Sequence, residues 1–225
     1  FLSKDIKSKI ALFCNVSIDA VITAKDVEVI YEVPMVFHQE GLDHKIIELL
    51  NIWTRAPKLD DWAALVDQFK DPTHEVKIAI VGKYVDLTES YKSLNEALFH
   101  GGIANDCRVN LDFVDSEQLD PGTCDGRLAE ADGILVPGGF GTRGIEGKVC
   151  AAHFARTQKV PYFGICLGMQ IACIEYARNM AGLAKANSSE FDEFTPDPVI
   201  YLMTEWVDDK RAGSRYPRRC RQSRR

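Results

Sequence analysis

The chain has 225 residues, 46% of them apolar, 27% charged and 9% aromatic. That is the balance of a globular protein able to bury a sizeable core, and it excludes collagen-like, disordered and coiled-coil classes. The formal net charge of −6 hides an asymmetry. Residues 210–225 hold Lys210, seven arginines and no acid, leaving 19 bases against 33 acids in residues 1–209, a balance of −14. An acidic body argues against a nucleic-acid surface. The longest apolar runs fall far short of the ~20 residues needed to cross a bilayer. No basic-then-apolar leader opens the chain. It starts at Phe1, so an upstream part is expected to have been cut away. Seven cysteines without a Cys-x-x-Cys pair read as free thiols in a reducing cytoplasm, not as a disulfide framework or a structural zinc site.

In chain order, residues 1–50 offer two short β-type runs, Lys9 to Phe13 and Val27 to Val33. Helical spacing follows from Gly41 to Ile47. Residues 52–75 carry Pro57, Pro72 and dense charge around a short amphipathic turn at Trp62 to Phe69, the composition of a linker. From Val76 strands and helices alternate. Strands are predicted at Val76–Gly82, Val109–Val114, Gly133–Val136 and Val160–Ile165, with helices at Glu89–Gly101, Gly144–Gln158 and Met169–Leu183. Apolar runs of this length between amphipathic stretches indicate βαβ units and a mostly parallel sheet, hence an α/β fold.

Gly164-Ile165-Cys166-Leu167-Gly168-Met169-Gln170 follows a predicted strand and opens a predicted helix. It has the Gly-x-nucleophile-x-Gly form of a nucleophile elbow, with cysteine as nucleophile. Flanking glycines permit a strained turn, and the helix dipole favours a thiolate there. Taken alone, the run suits a buried structural cysteine equally well. A second glycine turn, Pro137-Gly138-Gly139-Phe140-Gly141, ends the preceding predicted strand. In a parallel sheet both turns share the carboxyl edge, where ligands bind, and amides there can hold an oxyanion.

Gly164–Gln170 together with Pro137–Gly141 resembles the class I (triad) glutamine amidotransferases. Val81-Gly82-Lys83-Tyr84, Leu135–Gly147, Ala186–Phe191 and Thr204-Glu205-Trp206 narrow the resemblance to the CTP synthase family. The stretches Lys9–Cys14, Lys25-Asp26-Val27 and Ile30–Pro34 look like the end of that family's synthetase domain. The resemblance implies a three-layer, flavodoxin-like class I glutaminase domain preceded by a remnant of a nucleotide-binding α/β synthetase domain. The implied limits are 1–51 for the remnant, 52–75 for the linker, 76–209 for a partial glutaminase domain and 210–225 for an atypical tail.

It further implies a cytoplasmic ligase of pyrimidine biosynthesis that makes CTP from UTP, using ATP with Mg2+ and ammonia from glutamine. Cys166 stands at the nucleophile position. Gly139 and Leu167 would supply oxyanion amides, and Gly168, Met169, Gln170 and Glu190 would hold glutamine. Lys9 matches a contact to UTP or the inhibitor CTP, and Lys25, Asp26 and Val27 match a segment at ATP. Phe140 and Arg143 resemble a lid linked to the allosteric activator GTP. No metal ligand is implied in this chain; the parent is a homotetramer, with no nucleic-acid or membrane partner. Read without the resemblance, Glu190 is a solvated acid and Lys9 a solvated strand end.

The family's triad needs a His-Pro-Glu downstream of the cysteine. All five histidines here (38, 44, 74, 100 and 153) precede Cys166, and none lies in such a motif. His153 reads as a surface or packing residue. The family pattern stops near Asp209, as a truncated or frameshifted gene would read, so this chain alone is expected to be inactive. The alternatives are another class I glutamine amidotransferase and a non-catalytic regulatory module.

Overall fold

The computed structural model describes residues 2–55, 57–83, 91–139 and 141–201. The Tyr84, Phe140, Thr204–Trp206 and arginine-tail expectations lie outside the described residues. The chain divides into two compact units. The first comprises residues 1–74 with 99–108, and the second residues 75–98 with 109–225.

The first unit is helical. Helix α1 (Lys4–Cys14) starts where the Ser3 hydroxyl accepts the Ile6 amide and stops at Asn15, whose φ of 53° turns the chain left-handed. The expected strand at Lys9–Phe13 is therefore helix. Ser3 caps its start, and an apolar run this short cannot dictate strand: only Ala11 of α1 is buried, while Leu12 and Phe13 face solvent. The second expected strand, Val27–Val33, is also corrected. The Glu32 carboxylate accepts the Val29 amide to close a 3-10 turn, and Pro34 opens helix α2 (Val33–Gln39). Helix α3 (Leu42–Leu50) falls where the spacing predicts it.

The amphipathic turn near Trp62 is a longer element than expected, helix α4 (Asp60–Lys70). It buries Val66, donates the Trp62 indole N–H to the Tyr31 carbonyl at 2.5 Å, and packs Phe69 edge-on to Tyr31 at 5.2 Å.

The second unit is a mostly parallel sheet with flanking helices. Strand β1 (His74–Gly82) leads to helix α5 (Lys92–Ala104) and strand β2 (Cys107–Asp115), of which His74, the part of α5 from Phe99 on and the first two residues of β2 count with the first unit. Helix α6 (Cys124–Leu128), strand β3 (Gly133–Val136), helix α7 (Ile145–Gln158), strand β4 (Tyr162–Gly164) and helix α8 (Leu167–Asn179) follow. The strand order is β2-β1-β3-β4, with β3 parallel to both β1 and β4. A separate parallel pair, β5 (Ala186–Ser188) and β6 (Asp197–Ile200), packs beside α8.

Strand β3 is buried along its whole length, as a strand covered on both faces must be. One apolar cluster gathers Ala79, Val81, Val114, Leu128, Val136 and Phe154. A second joins Ile145, Val149, Leu167, Ile171 and Ile174 between α7 and α8. The sheet order reverses direction around β1, so the carboxyl ends of β1 and β3 form a switch point of the kind that holds ligands in open α/β sheets.

Candidate active site

The register pairs Val136 with Gly164, so β3 and β4 end level with one another. Beyond β3 lies the Pro137–Gly139 turn, and beyond β4 lie Ile165 and Cys166. The Ile165 amide donates to the Val136 carbonyl at 2.9 Å, carrying the pairing one residue past the strand. Cys166 then takes φ 52° and ψ −103° and caps α8 as an exposed thiol. A non-glycine residue there is strained by about 1–3 kcal/mol and persists only where its surroundings over-determine it.

Those surroundings explain both glycines. A β-carbon on Gly164 would stand 2.3 Å from the Gly168 carbonyl carbon, and one on Gly168 would stand 2.1 Å from the Val136 oxygen. No side chain fits at either place, so α8 can start this close to the sheet only with glycine at both. The Tyr162 hydroxyl donates to the Gly168 carbonyl at 2.8 Å and ties the first turn of α8 to β4. Burial pushes that phenol's pKa upward, so it remains a donor. Nothing in the sequence marks Tyr162 for this task; its signal is only its place in a strand.

The structure brings several expected site residues together. The Gly138 β-carbon position is 3.5 Å from the Cys166 Cβ, and that of Gly139 is 3.9 Å from the Leu167 Cδ2. Gln170, half-buried one turn into α8, donates its amide to the Cys166 carbonyl at 3.2 Å. Met169 is exposed. Glu190 is exposed just beyond β5, with its amide donating to the Ser188 hydroxyl at 3.2 Å. Its neighbour Phe191 packs on the α7–α8 cluster that contains Leu167, which anchors the Glu190 turn to the elbow helix. A recess of about 340 Å3, lined by Tyr91, Lys92, Pro137, Gly138 and Ile165, opens beside the two turns.

Arg143 sits elsewhere in this unit. Its Nε donates to Glu117 at 2.6 Å, and it lines a second cleft of about 470 Å3 with Ser116, Gly144, Asn187 and Phe191. Lys83 donates to the Gly141 carbonyl at 3.2 Å. His153, on α7, is hydrogen-bonded through Nδ1 to the buried Glu175 at 2.9 Å, in a cluster completed by Arg156. That is a packing role, as expected for it.

In the first unit Lys9 is exposed on α1, Lys25 pairs with Glu40 at 3.1 Å, and Asp26 and Val27 lie in irregular chain before the 3-10 turn. Among the described residues all six cysteines are free thiols, and no helix is long and apolar enough to cross a membrane.

The glutamine amidotransferase class-I family matches residues 86–201, more than half of the chain and the whole of the elbow region. The chain belongs to the class I glutamine amidotransferases. A further family, described as the CTP synthase N-terminus, matches residues 1–52. CTP synthase of Syntrophus aciditrophicus is 64% identical over 205 residues, covering 91% of this chain. CTP synthase of Desulfotalea psychrophila is 58% identical over 207 residues, covering 92%. The chain spans only 38% of the length of each, so this class I amidotransferase chain is similar to a part of those proteins. Among solved structures, the Trypanosoma brucei CTPS glutaminase domain with bound acivicin superposes with a TM-score of 0.56 at 42% identity. That match covers 60% of this chain and 53% of the other.

Proposed function

We propose that the second unit carries the glutamine-hydrolysing half-site of a CTP synthase, with Cys166 as its nucleophile. The observation that carries this reading is the strained Cys166 backbone, clamped by two irreplaceable glycines at the carboxyl edge of the sheet. In the reaction, the sulfur adds to the carboxamide carbon of glutamine. The C–N bond breaks, ammonia leaves with the thiol proton, and a glutamyl thioester remains. Water then releases glutamate and restores the thiol.

The amides of Gly139 and Leu167 donate to the oxyanion. Gly168 and Met169 line the approach, Gln170 binds the amino-acid end, and the Glu190 carboxylate meets the substrate ammonium. His153 is committed to Glu175, and no histidine is assigned the proton-transfer role.

In the whole enzyme the ammonia passes to a synthetase domain. There ATP with Mg2+ phosphorylates the 4-oxygen of UTP, and ammonia displaces the phosphate to give CTP. Residues 1–51 contribute the end of that domain, joined through 52–75 to the glutaminase part. The exposed ammonium of Lys9 suits a phosphate of UTP or of the inhibitor CTP. Lys25, Asp26 and Val27 lie at the ATP base; the pairing of Lys25 with Glu40 favours a positioning role over direct charge contact. None of these residues is assigned to Mg2+. Phe140 and Arg143 belong to the lid that answers GTP, and the parent works as a cytoplasmic homotetramer.

The test is intact mass after incubation with acivicin, an electrophilic glutamine analogue, with Cys166→Ala as control. One adduct on the parent and none on the control is the expected result. No adduct on either would overturn the reading and leave a non-catalytic module of the same fold.

A further inference from the structure

One cluster in the first unit has no part in the chemistry above. Helix α2 ends at Gln39, and Gly41, at φ 85°, turns the chain directly into α3. The turn folds His38, at the end of α2, against Asp43 and His44 in the first turn of α3. One ligand atom from each of the three lies within 4.8 Å of the others. The His38 Nδ1 stands 2.6 Å from the Asp43 Oδ2, and the two imidazole rings are 5.8 Å apart between centroids.

A simple ion pair between His38 and Asp43 accounts for only part of this. The second carboxylate oxygen, Asp43 Oδ1, is buried and has no hydrogen-bond partner. A buried carboxylate oxygen without a partner forfeits its hydration and is destabilising until something donates or coordinates to it.

We propose that His38, Asp43 and His44 form a binding site for a divalent first-row cation of the zinc type, with water in the fourth position. Two imidazoles and one carboxylate are the donors such ions choose, and three protein ligands with an open position are a common zinc arrangement. Magnesium and calcium, which take oxygen donors, are excluded by the same set. His44 is exposed and provides the entry path. Binding replaces the proton shared by His38 and Asp43 and ties the end of α2 to the start of α3 across Gly41. Oδ1 thereby gains the partner it lacks.

The experiment titrates the full chain with Co2+, and then with competing Zn2+, after the exposed thiols Cys14, Cys166 and Cys173 have been carboxamidomethylated. The expected result is one equivalent of Co2+ with visible d–d absorption and no sulfur charge-transfer band, displaced by Zn2+. His44→Gln, at an exposed position that leaves folding intact, weakens binding at least about tenfold. The double variant His38→Gln, His44→Gln abolishes it. X-ray absorption of the Zn2+ complex of the unmutated chain reads the ligands without relying on any variant, and should show two imidazoles and no sulfur. Absence of uptake, sulfur in the ligand shell, or unchanged affinity in the double variant would each overturn the proposal.

Discussion

The two compact units bury apolar surface with unequal success. In the sheet unit Ile80, Val81, Val136, Ile171 and Ile174 have no exposed surface. In the helical unit Ala11, Val21, Val29 and Val66 are the buried apolar residues among those described, while Phe13 is 88% and Trp53 103% exposed. A parallel sheet is covered on both faces, so each strand residue is enclosed. Among helices of 7–11 residues, α1 and α4 bury one residue each and α2 and α3 none, although packing supplies most helical stability. The helical unit leans instead on ion pairs: Glu40 with Lys7 and Lys25, Glu32 with Lys70, and Lys45 with Asp19. Close packing in one unit and half-solvated charge in the other should respond differently to substitution and to pH.

The largest effect is expected where packing is tightest. Gly168→Ala drives a β-carbon into the Val136 carbonyl, 2.1 Å away. It should cost the sheet unit about 4 kcal/mol and abolish labelling of Cys166. Urea unfolding with an unchanged midpoint would show that the elbow has slack, and the contrast between the units would weaken.

Glu175→Ala comes next. Glu175 is 2% exposed and bonded to Arg156, His153 and Asn179. Its removal takes away the acceptor shared by Arg156, His153 and Asn179, which keep access to solvent, so the cost should be about 2 kcal/mol. Burial pushes this carboxyl up, but the bonds from Arg156 and His153 outweigh it and hold its pKa below the usual 4.5. Its contribution is therefore complete above pH 4.5 and fades as the pH falls below that value. Glu175→Gln should flatten that limb of the stability–pH curve.

Lys148→Met should act with the opposite sign. Lys148 is 2% exposed. Burial, aided by Lys83 and opposed by Glu117, lowers its pKa to about 8. Between pH 8 and 10.5 the unfolded chain holds more protons than the folded one, so stability rises with pH there. Below pH 8 the cost of the buried charge is fully present. The methionine variant should be more stable at pH 7 by on the order of 2 kcal/mol and lose the alkaline rise. A less stable variant would mean the ammonium has compensation.

The smallest effect at neutral pH is expected in the helical unit. Lys7 first, then Lys25, hold the Glu40 pKa at about 2. Its support is present above pH 4.5 and is lost as the pH falls towards 2. Trp62 emission, read in a Trp53→Phe, Trp206→Phe background, should change across that window, and Glu40→Gln should remove the dependence. A flat trace in the parent would show that packing, not charge, holds this unit.

Legibility in the sequence follows the same division. Strand β3 and the helices α7 and α8 stand close to where apolar runs and spacing place them, because these segments are long and regular enough for their pattern to survive folding. The elbow was legible as well: Gly164, Cys166 and Gly168 announce it by chemistry and spacing. In the helical unit, Lys9–Phe13 and Val27–Val33 carry apolar residues that read as strand. Two end effects overrule them, the Ser3 cap and the backward reach of Glu32 to the Val29 amide. Such local hydrogen bonds leave no periodic trace.

By itself the sequence determined the α/β class, the alternation of strands and helices from Val76 and the glycine-flanked turn that carries Cys166, because each rests on neighbours along the chain. Only the tertiary structure decided the rest. It set Gly138 against Cys166, tied Tyr162 to the turn it braces, carried the Glu190 turn onto α8 through Phe191, and closed His38, Asp43 and His44 into one cluster. Those placements depend on which strand ends level with which and how sharply a glycine turns the chain, and distances of that kind exist only once the chain has folded.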